Sequence, residues 1–260
     1  MRRTAIACVS LGLASFALTA PASATVLMSE TFTYANGNLV PNGGWSTHSG
    51  SGVDIQVSSG KIQGNNLNAP DDNKTFTPQP VTGKTYACFQ ITIPTPGAPP
   101  DSNYIAHFMD ATTTNFFARV WVGAAGATLA SGFKFGISST TCACNQNCVP
   151  TWWASALNYD QLYTVTISYN GANGVAELWV DAANELSTKI TNTATAATGQ
   201  MQKFAFRQSS SPPTSCPSGN FDWKYTVDNL GVGTTFTDAC NGGPTPARQS
   251  TWGQLKVIYK

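Results

Sequence analysis

The chain has 260 residues, a formal net charge of +1, and only 10% charged residues. A balance this close to neutral gives no broad positive surface of the kind that nucleic acids or anionic membranes attract. Gly, Ser, Thr and Asn are abundant. This composition favours extended strands and polar turns over helices.

The first 24 residues have the layout of a secretory signal peptide. Arg2 and Arg3 form a basic start, an apolar run covers residues 5–20, and Ala22-Ser23-Ala24 gives a cleavage site. We therefore expect a mature chain that begins at Thr25, with 12 Lys+Arg against 13 Asp+Glu, and a secreted or cell-surface protein. No later apolar stretch approaches the roughly 20 residues of a membrane helix, so no membrane span is expected.

Short runs of alternating apolar and polar residues recur along the chain, each bounded by Gly, Pro or Asn. This pattern predicts an antiparallel β-sandwich over residues 25–240, with no convincing helix before residue 245. The runs are 30–34, 86–93, 104–109, 116–122, 132–138, 163–169, 175–180, 203–208 and 225–233. From residue 241 a Gly/Pro linker leads into a short cationic tail that ends at residue 260, in which Thr251 and Gln254 form a helix capping box.

Six cysteines remain after the predicted cleavage, and an even number in an exported chain favours disulfides. The C-x-C-x-x-x-C cluster at 142–148 could also bind zinc, but zinc sites usually show C-x₂-C pairs or histidines at set spacing. Cys142 and Cys144 are too close in sequence to bond to each other readily. We expect Cys88 to pair with Cys240, and the other four to pair among themselves: Cys142, Cys144, Cys148 and Cys216.

Seven stretches in order resemble secreted bacterial proteins with a concanavalin A-like (LamG-like) jelly roll. They are "SETFTYANGNLVPNGGW", "TYACFQITI", "FFARVWV", "GFKFGIS", "YTVTISYNGANGVAELWVDA", "KFAFRQ" and "YTVDNLGVGTTF". The resemblance implies that the strand at 30–34 lies antiparallel to that at 225–233, and that the concave sheet binds glycans or peptides. A structural calcium near the joined termini, held by Glu30 and Asp228, is also implied, although Asp228 could simply be a surface residue.

Glu177, Asp181 and Glu185 form a carboxylate series beside Trp179. Laminarin-active members of the superfamily carry a tighter E-x-D-x-x-E pattern on one strand, which this chain lacks. Glu177 and Asp181 would stand about 13 Å apart along a strand, whereas glycosidase pairs need about 5.5 Å or 6.5–9.5 Å. We expect Asp181 to cap backbone amides at a turn instead.

Strand alternation predicts a polar face. In "FFARVWV" it places Phe117, Arg119 and Trp121 on one side and an apolar set (Phe116, Ala118, Val120 and Val122) on the core side. The same rule turns several other polar side chains away from the core: Gln90, His107, Lys134, Glu177 and Arg207. The expected ligand-binding residues are His107, Arg119, Trp121, Lys134 and Arg207, on a surface suited to uronates or planar sugar faces. The alternative is the ordinary solvated side of a sheet.

Three functions fit these patterns. We favour a non-catalytic extracellular module that binds a glycan or mediates adhesion. The alternatives are a polysaccharide-active enzyme, a glycoside hydrolase or lyase, and a structural envelope component. A lyase would need a base such as Tyr104 or His107 beside Arg119. By strand alternation Tyr104 lies out of phase with His107, which counts against a lyase.

Overall fold

A computed structural model of the chain describes residues 25–64, 69–98, 100–139, 150–194, 199–208 and 223–241. The predicted signal peptide, the C-terminal tail and four of the cysteines (Cys142, Cys144, Cys148 and Cys216) lie outside these residues. Within the described ranges, every helix is too short or too polar to cross a bilayer.

The described residues form sixteen β-strands, one α-helix and two short 3₁₀ helices at Asn42–Gly44 and Leu129–Ser131. The strands are β1 (Val26–Glu30), β2 (Gly37–Asn38), β3 (Trp45–Ser49), β4 (Gln56–Ser58), β5 (Lys61–Gly64), β6 (Asp71–Thr75), β7 (Lys84–Thr92), β8 (Asn103–Met109), β9 (Phe116–Ala124), β10 (Phe133–Ser138), β11 (Thr151–Trp152), β12 (Leu162–Asn170), β13 (Val175–Val180), β14 (Ile190–Thr193), β15 (Lys203–Phe206) and β16 (Tyr225–Gly233). The helix α1 spans Phe236–Asn241.

These strands form two antiparallel sheets. The nine-stranded sheet has the order β14-β13-β12-β7-β16-β5-β4-β2, with β1 paired to β16. The seven-stranded sheet has the order β11-β10-β9-β8-β15-β6-β3. The antiparallel β-sandwich predicted from the alternating runs is confirmed, as is the concanavalin A-like jelly-roll class that the resemblance implied.

The core lies between the two sheets and is built by the alternating apolar residues. In the nine-stranded sheet Phe89 is fully buried, and its ring centroid lies 5.9 Å from that of Phe204 and 5.6 Å from that of Phe206, both in the seven-stranded sheet. Burying such large apolar groups stabilises the fold by about 1.5–3 kcal/mol for each side chain. The contact between Phe89 and the two β15 rings therefore holds the sheets together.

The first and last strands pair as the resemblance implied. In the antiparallel pair β1–β16, Met28 lies opposite Val232 and Glu30 opposite Leu230. The expected bounds of the first strand were wrong, because it ends at Glu30 instead of beginning there. Phe32 has φ 52°, so the backbone turns at this residue and "ETFTY" does not continue as a strand.

The helix α1 was not predicted, because six residues are too few to show helical periodicity. It begins after a capping pair: the Asp238 amide donates to Thr235 Oγ1, and that hydroxyl donates to the Asp238 carboxylate. The predicted disulfide between Cys88 and Cys240 is confirmed, with Cα atoms 5.0 Å apart, and it fastens α1 to β7.

Candidate functional site

Five side chains predicted to bind ligand lie on the seven-stranded sheet. His107 is on β8, Arg119 and Trp121 on β9, and Lys134 on β10, while Arg207 directly follows β15. Residues next to them in these strands, such as Ala106, Val120 and Phe206, belong to the buried core cluster, so the five side chains lie on the opposite face of the sheet. We call this surface, together with Tyr104, Phe116 and His48, the polar face.

Gln90 and Glu177, also predicted to turn away from the core, would share this surface only if their strands lay in the same sheet. Gln90 lies on β7 and Glu177 on β13, and both strands belong to the nine-stranded sheet. Strand alternation gives the side of a strand on which a residue lies, but it does not say to which sheet the strand belongs. Gln90 and Glu177 therefore do not belong to the polar face.

A backbone irregularity in β9 reverses the faces on which Phe116 and Phe117 were predicted to lie. Ala118 has φ 46°, and the β8–β9 register shifts between Ala106 and Phe108. Phe117 is consequently buried in the core, 5.0 Å from the Tyr169 ring, whereas Phe116 joins the polar face. The predicted facing of these two residues was wrong, since a bulge inserts one residue into the alternation.

Tyr104 also lies on the polar face, contrary to prediction. The β8–β9 register shifts a second time between Tyr104 and Ala106, which brings Tyr104 into phase with His107. Their ring centroids are 5.6 Å apart. The structure therefore places Tyr104, His107 and Arg119 on one face, although strand alternation predicted that Tyr104 would lie on the other.

Both arginines contact the Tyr104 ring. The Cζ atom of Arg119 lies 4.8 Å from the ring centroid and that of Arg207 lies 4.3 Å from it, within the range of cation–π attraction. Arg119 is only 3% exposed and Arg207 only 7%, so the expectation of an open, solvated face fails for them. Burial lowers the pKa of Arg119 to about 10, and the charge of Arg207 contributes, yet the guanidinium remains protonated at neutral pH.

Arg207 is held in place by polar partners on neighbouring strands. It donates to Asn103 Oδ1 at 2.5 Å, and its Nε lies 3.7 Å from the Asp71 carboxylate. The Tyr225 hydroxyl in turn donates to the Arg207 carbonyl oxygen at 2.9 Å. The contacts with Asn103 and Asp71 hold the guanidinium, while the Tyr225 bond holds the backbone, and together they favour a preorganised positive charge over a mobile surface arginine.

The fully buried His107 and the half-buried His48 have ring centroids 5.7 Å apart. Among the described residues neither imidazole has a hydrogen-bond partner, and His107 packs against the Phe116 ring at 4.3 Å. Burial lowers the pKa of His107 well below its usual value, and the charges of His48, Arg119 and Arg207 lower it further. Burial also lowers the pKa of His48, although Asp71 opposes the effect. Both imidazoles are therefore neutral at neutral pH.

The solvent-facing part of the polar face consists of half-buried residues. Tyr104, Trp121 and Lys134 belong to this class. Trp121 Nε1 donates to Ser138 Oγ at 2.8 Å, and Lys134 Nζ donates to the Ala154 carbonyl at 3.0 Å. A ligand arriving from solvent would meet two aromatic rings and one ammonium, with the guanidinium groups beneath them.

Sequence reasoning did not place His48, Tyr104 and Phe116 on the polar face, for two reasons. His48 lies on β3, where "WSTHS" is too polar to stand out as a strand. Tyr104 and Phe116 were misplaced by the irregularities in β8 and β9, and an alanine with positive φ leaves no clear sequence signal.

The carboxylate series at 177–185 has structural roles, and the predicted role of Asp181 as a turn cap is confirmed. Asp181 has φ 48°, and its Oδ1 accepts a hydrogen bond from the Thr164 amide at 2.7 Å. Glu177 contacts the ammonium groups of Lys84 at 2.7 Å and Lys189 at 2.6 Å. Glu185 pairs with Lys84 at 2.9 Å. This network lies on the nine-stranded sheet, away from the polar face.

The residues expected to hold calcium do not fit that ion well. One oxygen of Glu30 lies 2.8 Å from the Lys74 ammonium and also accepts from Tyr34 and Trp45, while the other accepts from the Phe32 amide. Lys74 already supplies the positive charge that calcium would bring. In the described part of the chain no three His, Cys, Asp or Glu side chains gather into a metal site. Calcium at Glu30 and Asp228 stays an untested prediction.

Comparisons with known proteins bear on the fold. No protein-family model and no curated protein matches the chain. The carbohydrate-binding CBM2 module of the evolved Dit protein of Lactobacillus casei BL23 phage J-1 is similar in structure, with a TM-score of 0.55 and 11% identity over 82% of this chain and 96% of that one. The alginate lyase Aly36B is also similar, with a TM-score of 0.51 and 11% identity over 82% of this chain and 97% of that one. These likenesses show a shared jelly-roll fold.

Proposed function

We propose that this chain is an exported protein that binds acidic glycans on its polar face without cleaving them. The observation that carries the proposal is the position of Tyr104, whose ring contacts the buried guanidinium groups of Arg119 and Arg207 while remaining half-buried itself. Trp121 lies opposite Tyr104 on β9, and Lys134 lies one strand further, on β10 opposite Gly123.

Acidic sugars combine the two chemical features that this surface matches. The apolar face of a sugar ring packs against an aromatic ring such as Tyr104 or Trp121. A uronate carboxylate is attracted by Lys134 at the surface and by the guanidinium groups below, whose field is strengthened by their low-dielectric surroundings.

The comparisons and the sequence support the proposal at a coarser level. Similar structures include a carbohydrate-binding module and an alginate lyase, although a shared fold does not determine activity. The predicted signal peptide at residues 1–24 would deliver the chain to the compartment where extracellular polysaccharides occur.

A glycan array probed with the mature chain, residues 25–260, tests the proposal, with and without calcium. We expect binding to oligouronates, such as alginate and glucuronan fragments, and weaker binding to neutral oligosaccharides of equal length. Calorimetry should show an affinity that falls as NaCl is raised, because salt screens exposed charges.

A matched pair of lysine substitutions sharpens the test. Lys134→Ala should weaken oligouronate binding about tenfold, the value of one charge-assisted hydrogen bond. Lys61→Ala removes the same charge from an exposed position on the nine-stranded sheet and should leave affinity unchanged. The proposal fails if the wild-type protein binds no glycan at millimolar concentration, or if both variants weaken binding equally.

A polysaccharide lyase is the second candidate, favoured by the juxtaposition of Tyr104 and neutral His107 beside two arginines. In such a reaction a base removes the proton on the carbon next to the uronate carboxylate. The bond to the leaving sugar oxygen then breaks, a carbon–carbon double bond forms, and an acid protonates that oxygen. Ultraviolet absorbance of the unsaturated product would reveal it. We rank binding first because His107 is fully buried against Phe116, where substrate does not reach its nitrogens.

A further inference from the structure

Trp152 extends the aromatic surface to the edge of the seven-stranded sheet. The cross-strand pairs Tyr104–Trp121, Trp121–Gly136 and Gly136–Trp152 place these residues in one row over β8, β9, β10 and β11. With strands about 4.8 Å apart, the row from Tyr104 to Trp152 spans about 14 Å, which is longer than one sugar ring.

Two strand glycines provide the space that the Trp152 ring occupies. A Cβ at Gly123 would lie 2.7 Å from Trp152 Cη2, and one at Gly136 would lie 2.8 Å from Trp152 Cε3. The six-membered ring of the indole therefore rests on the bare backbone of β9 and β10. Glycine inside a strand marks such a close approach, and here it occurs twice under one ring.

The same indole lines a surface depression of about 380 Å³. Its lining includes Gly123, Lys134, Ser102 and Asp101, and Trp152 is half-buried, so part of the ring remains in contact with solvent. The depression thus combines an aromatic surface with hydroxyl, ammonium and carboxylate groups, a small set of polar groups that can orient a ligand.

We infer that Trp152 and this depression form an end subsite that takes one pyranose unit of a bound oligosaccharide. This inference rests on the proposed glycan binding and deepens it. The sugar ring packs against the indole, while Lys134 and Ser102 hydrogen-bond its carboxylate or hydroxyl groups. The remaining units continue along the row towards Trp121 and Tyr104.

The chain-length dependence of binding tests the subsite. Calorimetry would compare oligouronates of two to six units against wild-type protein and Trp152→Ala. Wild-type affinity should rise with length until the row is filled, and Trp152→Ala should bind the longest oligomers about tenfold more weakly while binding the shortest almost normally. Trp152→Phe should recover most of the loss, because an aromatic ring is retained.

Two Gly→Ala substitutions test whether binding depends on the position of the Trp152 ring and not on a general effect of an added methyl group. Gly123→Ala places a methyl group against the indole and should reproduce the loss seen for Trp152→Ala. Gly97→Ala makes the same change where nothing lies within 4 Å of the new methyl, and should bind normally. If Trp152→Ala binds long oligomers as tightly as wild type does, the subsite is wrong while glycan binding stands. Failure of the wild-type protein to bind any oligomer overturns both.

Discussion

The Lys74 ammonium donates to the Glu30 carboxylate at 2.8 Å across the gap between the two sheets, with Glu30 only 5% exposed. Trp45 and Tyr34 donate to the same oxygen. Burial raises the pKa of the Glu30 carboxyl, but the hydrogen bonds from Lys74, the Phe32 amide and Tyr34 outweigh it, and the pKa lies below its usual 4.5. This carboxylate therefore connects β1, β3 and β6.

We expect Glu30→Gln to lower the free energy of unfolding by about 3 kcal/mol or more, because it leaves Lys74 without its buried counter-charge. Urea unfolding at pH 7 measures the loss. Glu185→Gln is the control: its ion pair with Lys84 is 41% exposed on the glutamate side, so the loss should stay below about 1 kcal/mol. Because the folded-state pKa is lowered, the Glu30 contribution is complete above about pH 4.5 and is lost at lower pH. Equal losses in the two variants would contradict this account.

Asp72 should have the opposite pH dependence. Burial raises its pKa to about 7, helped by the charges of Asp54 and Asp71, against hydrogen bonds from Thr47 and the Ile55 amide. Since the folded protein holds this proton more tightly than the unfolded chain does, stability falls as pH rises from about 4 towards 7. Asp72→Asn should therefore stabilise the protein by about 2 kcal/mol or more at pH 8, and have little effect at pH 4. If the free energies of unfolding of the wild type and of Asp72→Asn change with pH in the same way, the prediction is wrong.

The disulfide should contribute strongly, because it closes a loop of 152 residues. We expect replacement of both Cys88 and Cys240 by serine to lower the free energy of unfolding by about 3–5 kcal/mol. The double variant isolates this bond better than a reductant, which would act on every cysteine. Calorimetric unfolding measures the effect, and an unchanged melting temperature would show that α1 is held to β7 by packing alone.

Ala118 offers a test of the irregularity that builds the polar face. Its φ of 46° costs an L-residue about 1–2 kcal/mol, a strain that glycine avoids. Ala205 is equally buried on β15 of the same sheet and has no positive φ. Each Ala→Gly substitution removes one buried methyl group. The difference in unfolding free energy between the two variants therefore reports the backbone strain at residue 118. Ala118→Gly should leave the protein about 1–2 kcal/mol more stable than Ala205→Gly does, as measured by urea unfolding. If the two variants are equally stable, Ala118 is not strained.

Sequence alternation predicted the strands whose apolar residues face a core without interruption. β7, β12 and β13 appear close to their expected bounds, since nearly every second side chain is apolar. β16 also has its expected bounds, although a register shift between Asp228 and Gly231 interrupts its alternation. β6 could not be found this way, because "DDNKT" has no apolar residue and its side chains are buried by polar pairing, such as Asn73 Nδ2 to the Ser46 carbonyl. For the five ligand-binding candidates, alternation predicted that each side chain turns away from the core, and the structure adds that their strands share one sheet.

The remainder of the candidate site depends on tertiary detail. Tyr104 and Phe116 reach the polar face through register shifts between β8 and β9, which depend on cross-strand packing and not on local propensity. Burial of Arg119 and Arg207 likewise depends on the rings packed around them. Such features follow from the assembled sheet and are not visible in a single strand.

The pairing of β1 with β16 has a mechanical consequence. The Thr25 amide and the Thr234 side chain meet at 3.0 Å, so the two ends of the sandwich leave from one corner. Tension applied between residue 25 and residue 241 would peel β1 from β16 one hydrogen bond at a time, the geometry in which a strand pair resists least. At residue 241 the force is carried by the disulfide from Cys240 to Cys88, which lies on β7 in the middle of the nine-stranded sheet. The domain therefore resists tension poorly at β1 and well at α1.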